Sequence, residues 1–482
     1  MSVREAGRCT IWWIRRDLRL DDNAALLRAA LSDTMVPVFV DDEGGEGAWG
    51  LGGAQRWWVA RSIASLARDL EQRGSRLIVL RGRAAAELVS IARACNASEV
   101  CWSRRFEPAA KRQESEVEGA LDQAGIGWSS FLSNHLFDPD EIQTQTGNPY
   151  QVYTPFSRNL RARGVPGTPR EAPAVLPPVG PAPAGLGADA MAYEPVPDWA
   201  GGMRERWTVG EAGARAALER FIGSGALSDY PDGRDIPSID GTSLLSPYLA
   251  FGEIGIRRIW REASQARGAS AAGIDKFHAE LLWREFATHV LHHFPRTEDK
   301  PLRAEFAAFP WADDRPSLRA WQRGRTGYPL VDAGMRQLWA TGWMHNRVRM
   351  VVASFLVKHL LLPWQDGARW FWDTLVDADL ANNSLGWQWA AGCGADAAPY
   401  FRIFNPTSQA EKFDAGGAYI RRWVPELARV PDKFIFAPWE APATVLAAAG
   451  VRLGREYPEP IVEHGFARKR ALDALAKVSR GS

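Results

Sequence analysis

Asp377-Ala-Asp-Leu-Ala-Asn-Asn-Ser-Leu-Gly-Trp-Gln-Trp389, taken up again at Arg402-Ile-Phe-Asn405, is the stretch on which the reading of this 482-residue chain turns. Two carboxylates, two adjacent asparagines and two tryptophans fall within a short run that reads as turn-like. Carboxylates and amides can hydrogen-bond the edge of a flat heteroaromatic ring and its polar tail. Indoles can stack on such a ring or pass electrons to it. Tryptophan is also the compositional outlier, 22 residues against 9 Tyr. Most of these belong to packed cores, and composition does not pick out a subset that would serve a redox group.

Around this stretch the pattern is helical. Glu211–Ile222, Ile256–Ala266, Lys276–Phe294, Asp332–Ala340, Asn346–Leu361 and Gly367–Leu375 show helical periodicity. The beginning of the chain differs: short apolar runs at Thr10–Ile14, Val36–Val40, Leu77–Leu80 and Val100–Trp102 alternate with helical segments such as Ala54–Glu71 and Ala84–Ala94. Apolar runs of that length suit strands buried on both faces, and the alternation predicts a doubly wound parallel α/β sheet. Val165 to Pro197 is rich in Pro, Ala and Gly and reads as a connector. The expected organisation is an α/β domain over residues 1–135, a linker over 136–204 and an all-α domain over 205–482. The run Gly45-Glu-Gly-Ala-Trp-Gly50 spells GxGxxG. It follows the second strand and carries a bulky Trp49, so it reads as a strand-to-helix loop rather than a dinucleotide site.

The bulk numbers exclude several classes. With 46% hydrophobic and 24% charged residues the chain is an ordinary globular protein. No apolar run is long enough for a bilayer, and Met1–Arg8 does not read as a secretory leader, so a cytoplasmic location is expected. Cys9, Cys95, Cys101 and Cys393 are scattered, with no CxxC, and the adjacent His292 and His293 lack a metal-ligand spacing; no metal site is expected. A net charge of +1 rules out a uniformly basic nucleic-acid coat, so any DNA contact needs charges segregated onto one face.

Four constellations carry chemistry. Tyr230-Pro-Asp-Gly-Arg234 precedes Gly241-Thr-Ser-Leu-Leu-Ser246, whose hydroxyls and backbone N–H groups can cap a helix or cradle a phosphate. In Glu280-Leu-Leu-Trp-Arg284, the residues Glu280, Trp283 and Arg284 are spaced for one helical face. Gly342-Trp-Met-His-Asn-Arg-Val-Arg-Met350 places Asn346 and Met350 one turn apart, with Arg347 and Arg349 on other sides. The fourth is the stretch quoted first.

Together with Trp13-Ile-Arg-Arg-Asp-Leu-Arg-Leu-Asp-Asp-Asn23 near the start, these motifs resemble the DNA photolyase and cryptochrome family over nearly the whole chain, and most nearly its cyclobutane pyrimidine dimer photolyases. The resemblance implies an FAD-binding helical domain and light-driven electron transfer from reduced FAD to a flipped-out dimer. In that frame Tyr230, Thr242, Ser243, Leu244, Leu245 and Ser246 hold the FAD pyrophosphate side, with Leu244 standing where many members carry Arg. Phe277 and Arg284 lie by the flavin. Arg349 pairs with Asp377, Asp379 meets the flavin's polar edge, and Asn346 approaches both flavin and substrate. Asn383 faces flavin N5; an amide lacks a labile proton, which favours the fully reduced anionic flavin over the state supported by the Asp of plant cryptochromes. Trp387, Trp364 and Trp311 form the indole chain to the surface. Glu280, Met350, Trp283 and Trp389 contact the dimer, while Arg234, Arg347 and Arg402 meet DNA phosphates. Asn and Met at positions 346 and 350 replace the histidines of (6-4) photolyases and cannot act as general acids. An antenna pigment, methenyltetrahydrofolate or 8-hydroxy-5-deazaflavin, is implied in the N-terminal domain, but Phe106-Glu-Pro-Ala-Ala110 offers only alanines after Glu107, which leaves folate in a different pose, a deazaflavin or no antenna. UV-damaged DNA is the implied partner, and a monomer with no obligate protein partner is expected. The alternatives are a light-sensing cryptochrome or a (6-4) photolyase.

Overall fold

The computed structural model describes residues 5–183, 185–397, 399–400 and 402–480. Met1–Arg4, at the head of the stretch read for a leader, lies outside them. The first strand, β1 (Glu5–Ile14), forms the middle of a five-stranded sheet with β2 (Ser32–Asp41), β3 (Ile78–Arg81), β4 (Glu99–Ser103) and β5 (Gly127–Phe131), in the order β3-β2-β1-β4-β5. Every pairing is parallel, with Ile11 opposite Val36, Trp12 opposite Cys101 and Val100 opposite Trp128. The chain winds outward through β2 and β3, then crosses back to β4, so the order reverses between β1 and β4. The fifth strand went unread in the sequence because Gly127-Trp-Ser-Ser-Phe131 is an edge strand, half exposed and without an apolar run.

Alternation along β1 explains the layering. Trp12 and Ile14 face one way, into a core shared with Leu26 of α1 (Ala24–Ala29), Trp57 and Trp58 of α2 (Gly53–Gln72), and Tyr248 and Phe251 of the helical half. Ile11 and Trp13 face the other way, into a separate cluster under Leu88 and Ile91 of α3 (Ala84–Ala94) and Val117 and Leu121 of α4 (Pro108–Ala124). One face of the sheet therefore rests on the helical half through a continuous apolar core. The span 136–204 carries a helix of its own, α5 (Tyr153–Arg163), ahead of the Pro-rich connector. Beyond it, backbone bonds from Leu176 N–H to the Arg73 carbonyl and between Leu186 and Val79 lay the Pro-rich segment along the β3 side.

In the helical half the longest helices are Ala271–His293 and His464–Arg480. The run read as turn-like is instead a regular helix, Leu380–Ala391. Asp379 is its N-cap, its carboxylate accepting the Asn382 N–H at 2.9 Å, and Gly392 in the left-handed region closes it. The helix expected over Asn346–Leu361 changes at Ser354 into a π-helical turn, Phe355–His359. Trp49, in the glycine-rich loop, is buried edge-on against Trp372 of the helix Trp364–Thr374, with ring centroids 5.4 Å apart. That loop therefore docks the sheet onto the helices. Among the described residues no helix is long and apolar enough to cross a membrane.

Candidate cofactor and substrate site

Three elements meet at Asp377. The segment before the helix Leu380–Ala391 delivers its carboxylate, whose Oδ2 accepts the Arg349 guanidinium at 2.8 Å and the Ser246 hydroxyl at 2.6 Å. Trp343 donates its indole N–H to the Ser246 oxygen at 3.3 Å. Asp377 Oδ1 is buried with no hydrogen-bond partner among the described residues. A carboxylate oxygen in that position is an acceptor still to be satisfied, and a polar ligand would complete it.

Ser246 opens a short helix, Ser246–Ala250, and the backbone before it has an unusual shape. Leu244 has φ +56°, a left-handed conformation rare for a bulky side chain, and Leu245 follows in the right-handed region. Adjacent residues of opposite hand turn successive N–H groups inward, the geometry of an anion nest. Thr242, Ser243 and Leu244 are half-buried on this turn, and Ser243 Oγ accepts the Leu245 N–H at 3.4 Å. Tyr230 and Phe277 pack edge-on 5.4 Å apart, both buried.

Asn383 lies on the second turn of its helix. Its Nδ2 donates to the Ala368 carbonyl at 3.0 Å, which leaves Oδ1 as the side chain's acceptor. Asp379 has two roles: besides capping the helix it lines a small interdomain cavity with Arg284, Arg16, Arg105 and Glu107. The spacing of Glu280, Trp283 and Arg284 does not bring the three to one use. Arg284 turns towards the sheet and donates to the Asn134 carbonyl at 2.8 Å. Glu280 instead takes both nitrogens of Arg234, one of them at 3.0 Å, and lies 3.4 Å from Lys276.

Arg347 and Arg349 leave the helix Asn346–Ser354 on different sides. Arg349 goes to Asp377, while Arg347 pairs with Asp235 at 2.6 Å and lies 3.9 Å from the Met350 sulfur. This one helix therefore joins the Asp377 cluster to the rim carrying Arg234 and Glu280. Asn346, at its start, is exposed. His345 caps it by accepting the Arg347 N–H at 3.2 Å, and burial pushes the imidazole down to about 4, so it is neutral at pH 7. Trp283 is stacked flat on Tyr153 of α5, with centroids 3.7 Å apart and planes within 5°. Trp389 is half-buried, and Arg402 is exposed with its carbonyl taken by Lys358 at 2.9 Å.

Trp387 and Trp364 are buried in one apolar cluster, against which Trp311 packs half-exposed. Trp387 meets Phe371 at 4.9 Å and Trp321 at 6.1 Å. Sequence reasoning missed Asp235, Lys276 and Tyr153. Asp235 is adjacent to the Tyr230–Arg234 motif, and Lys276 stands four residues before Glu280, a helical pairing distance. Tyr153 carries no sequence signal, since its stacking depends on folding α5 against a distant helix.

A buried acceptor, an N–H nest and an amide oxygen, set in a helical body beside an α/β sheet, suit a polar, phosphate-bearing ligand such as a flavin nucleotide. The family models agree: residues 277–477 match the FAD binding domain of DNA photolyase, and residues 10–176 match DNA photolyase. A deoxyribodipyrimidine photo-lyase from Agrobacterium fabrum is 47% identical over the full length of both chains. Cryptochrome-1 of Arabidopsis thaliana is 37% identical, covering 98% of this chain and 71% of its own. Among solved structures, a bacterial class III photolyase from Agrobacterium tumefaciens superposes with a TM-score of 0.95 at 46% identity, covering 100% of this chain and 99% of that one. An archaeal photolyase from Sulfolobus tokodaii, described with two FAD molecules, gives a TM-score of 0.80 at 27% identity, covering 97% of this chain and 100% of that one. The chain belongs to the DNA photolyase and cryptochrome family.

Proposed function

We propose that this protein is a light-driven repair enzyme for cyclobutane pyrimidine dimers in DNA, a deoxyribodipyrimidine photo-lyase. The observation that carries the reading is the helix Asn346–Ser354, which ties the Asp377 carboxylate on one side to the rim of Arg347, Met350, Arg234 and Glu280 on the other. A cofactor held by the first group and a lesion held by the second would be neighbours. Reduced FAD, when bound, supplies on excitation the one electron that opens the cyclobutane ring and recovers it afterwards. The chain's own residues bind and orient. The Thr242–Ser246 turn takes phosphate oxygens on backbone N–H groups, Arg349 is fixed by Asp377, and Asn383 offers an acceptor without a labile proton. Trp283, flat on Tyr153, and Trp389 wall the lesion's pocket, and a dimer already unstacked and weakly paired is cheap to flip into it. Asn346 and Met350 cannot donate protons as histidines do, which favours the cyclobutane lesion over the (6-4) photoproduct.

For an antenna pigment this reading offers the open cleft of about 770 Å³ at the carboxyl ends of β2 and β3, bordered by Asp42, Gly45, Arg81 and Arg112. The four buried, unbridged cysteines suit a reducing cytoplasm, where the protein would act as a monomer.

The test is illumination of the flavin-loaded, reduced protein with a dimer-bearing oligonucleotide. Restoration of intact pyrimidines in blue light and none in the dark is the expected result. Photoreduction without dimer loss would overturn the repair reading in favour of a sensor.

A further inference from the structure

Five charged side chains meet in sequence on the rim: Lys276, Glu280, Arg234, Asp235 and Arg347. Lys276 lies 3.4 Å from Glu280, Glu280 is gripped at both oxygens by Arg234, Arg234 Nε is 4.0 Å from Asp235, and Asp235 holds Arg347 at 2.6 Å. Signs alternate, so each arginine is already neutralised by an acid before any DNA arrives. The members are partly solvated, Asp235 and Arg347 being 31% and 20% exposed at the side chain, so phosphate can compete for them. Ile236 and Ile239 are exposed on the same loop.

We infer that Asp235 is a specificity-determining positioning residue, which withholds Arg347 from the phosphates of undamaged DNA and yields it when a lesion occupies the pocket. The inference rests on the rim being the DNA-binding face. A dimer that engages the Glu280 carboxylate takes it from Arg234. Arg234, left without its bidentate partner, has Asp235 as its nearest remaining acid. Once Asp235 turns to Arg234, Arg347 is released to a backbone phosphate. Affinity for the phosphodiester backbone is thereby coupled to occupancy of the pocket, because lesion and backbone compete for two acids shared between two cations. Undamaged DNA offers nothing to Glu280, so the chain of pairs stays closed.

Asp235→Asn keeps the side chain's shape and removes its charge. The variant should bind undamaged duplex more tightly, with a salt slope steeper by about 0.9, the increment for one added phosphate contact. Across a fourfold change in salt that slope increment is worth roughly threefold, so at low salt a gain of about that size is expected. Dimer-bearing duplex should gain less, so the preference for damaged DNA falls by a similar factor, and Asp235→Glu should restore it. A merely structural role would weaken both duplexes together and leave the salt slope unchanged, and either of those results overturns the inference. Should the Asn variant fail to hold flavin, Asp235→Ser is read in the same way. If the unaltered protein shows no preference for dimer-bearing duplex, the reading of the rim itself fails. If it does, and Asp235→Asn leaves preference and slope unchanged, the rim reading stands and the role of Asp235 is refuted.

Discussion

At Asp377 a single oxygen carries two donors, Arg349 and Ser246, while the other is buried and unsatisfied. Asp377→Asn would weaken a charge-assisted bond and place an amide N–H₂ where donors already converge. A loss of about 2–3 kcal/mol in cofactor retention is expected, the scale of a hydrogen bond to a charged group. The check is the flavin-to-protein absorbance ratio after gel filtration. Trp387 is a different kind of residue, buried in the core with its indole N–H unpaired among the described residues. Trp387→Phe should slow photoreduction of oxidised FAD strongly, whereas repair by chemically pre-reduced enzyme declines far less. Flash photolysis separates the two, and equal photoreduction in the variant would remove Trp387 from the electron path.

Elements position these residues by close approach. Gly367, in the helix Trp364–Thr374, lies so near the Trp387 indole that an added Cβ would come within 2.1 Å of the ring. The buried ring has little room to retreat, so the two helices can sit at their observed spacing because position 367 has no side chain. Gly367→Ala is expected to cost about 1–3 kcal/mol, the range for overpacking a well-filled core, and to slow photoreduction as the indole moves. Thermal unfolding with and without flavin measures the first effect. The π-helical turn Phe355–His359 has a comparable local effect. It buries Lys358 beneath the Arg402 carbonyl, and desolvation pushes that amine down to about 7.

Over the whole molecule, sheet and helical half are joined by a buried polar contact as well as by the shared core. Glu253 is fully buried and accepts from Trp58 Nε1 at 3.1 Å, Ser62 Oγ at 2.5 Å and Gly210 N–H at 3.1 Å, the first two from α2. Burial outweighs these donors and pushes its carboxyl up to about 8. A carboxyl whose folded value lies above its unfolded one contributes fully below the unfolded value, about 4.5, and loses that contribution as pH rises through the folded value. Stability should therefore decline by several kcal/mol between about pH 4.5 and 8, at a slope of at most about 1.4 kcal/mol per pH unit for the one proton involved. Glu253→Gln, an uncharged stand-in for the protonated acid, should flatten that decline and gain on the parent protein as pH rises from about 5 to 8. Denaturant melts across the pH range would show it, and parallel curves for the two proteins would contradict it.

Much of this was legible in the chain. Strands buried on both faces announce themselves as short apolar runs, so four of the five could be read; β5 could not, because an edge strand needs no apolar run. The motifs around Asp377, Asn346 and Glu280 are local, and residues three or four apart on a helix share a face wherever the helix lies. The turn-like reading of Asp377–Trp389 failed because asparagine and glycine disfavour helix only weakly, and an aspartate cap with tertiary packing overcame them. What the sequence by itself determined is the α/β-then-helical order and the polar and aromatic residue types gathered in the four motifs. Only the tertiary structure decided the partners. Glu280 takes Arg234 and Lys276 rather than Arg284, Arg347 is held by Asp235, and Trp283 lies on Tyr153. The physical reason is that periodicity sets which way a side chain points, whereas an ion pair or a ring stack depends on which distant element packs opposite it.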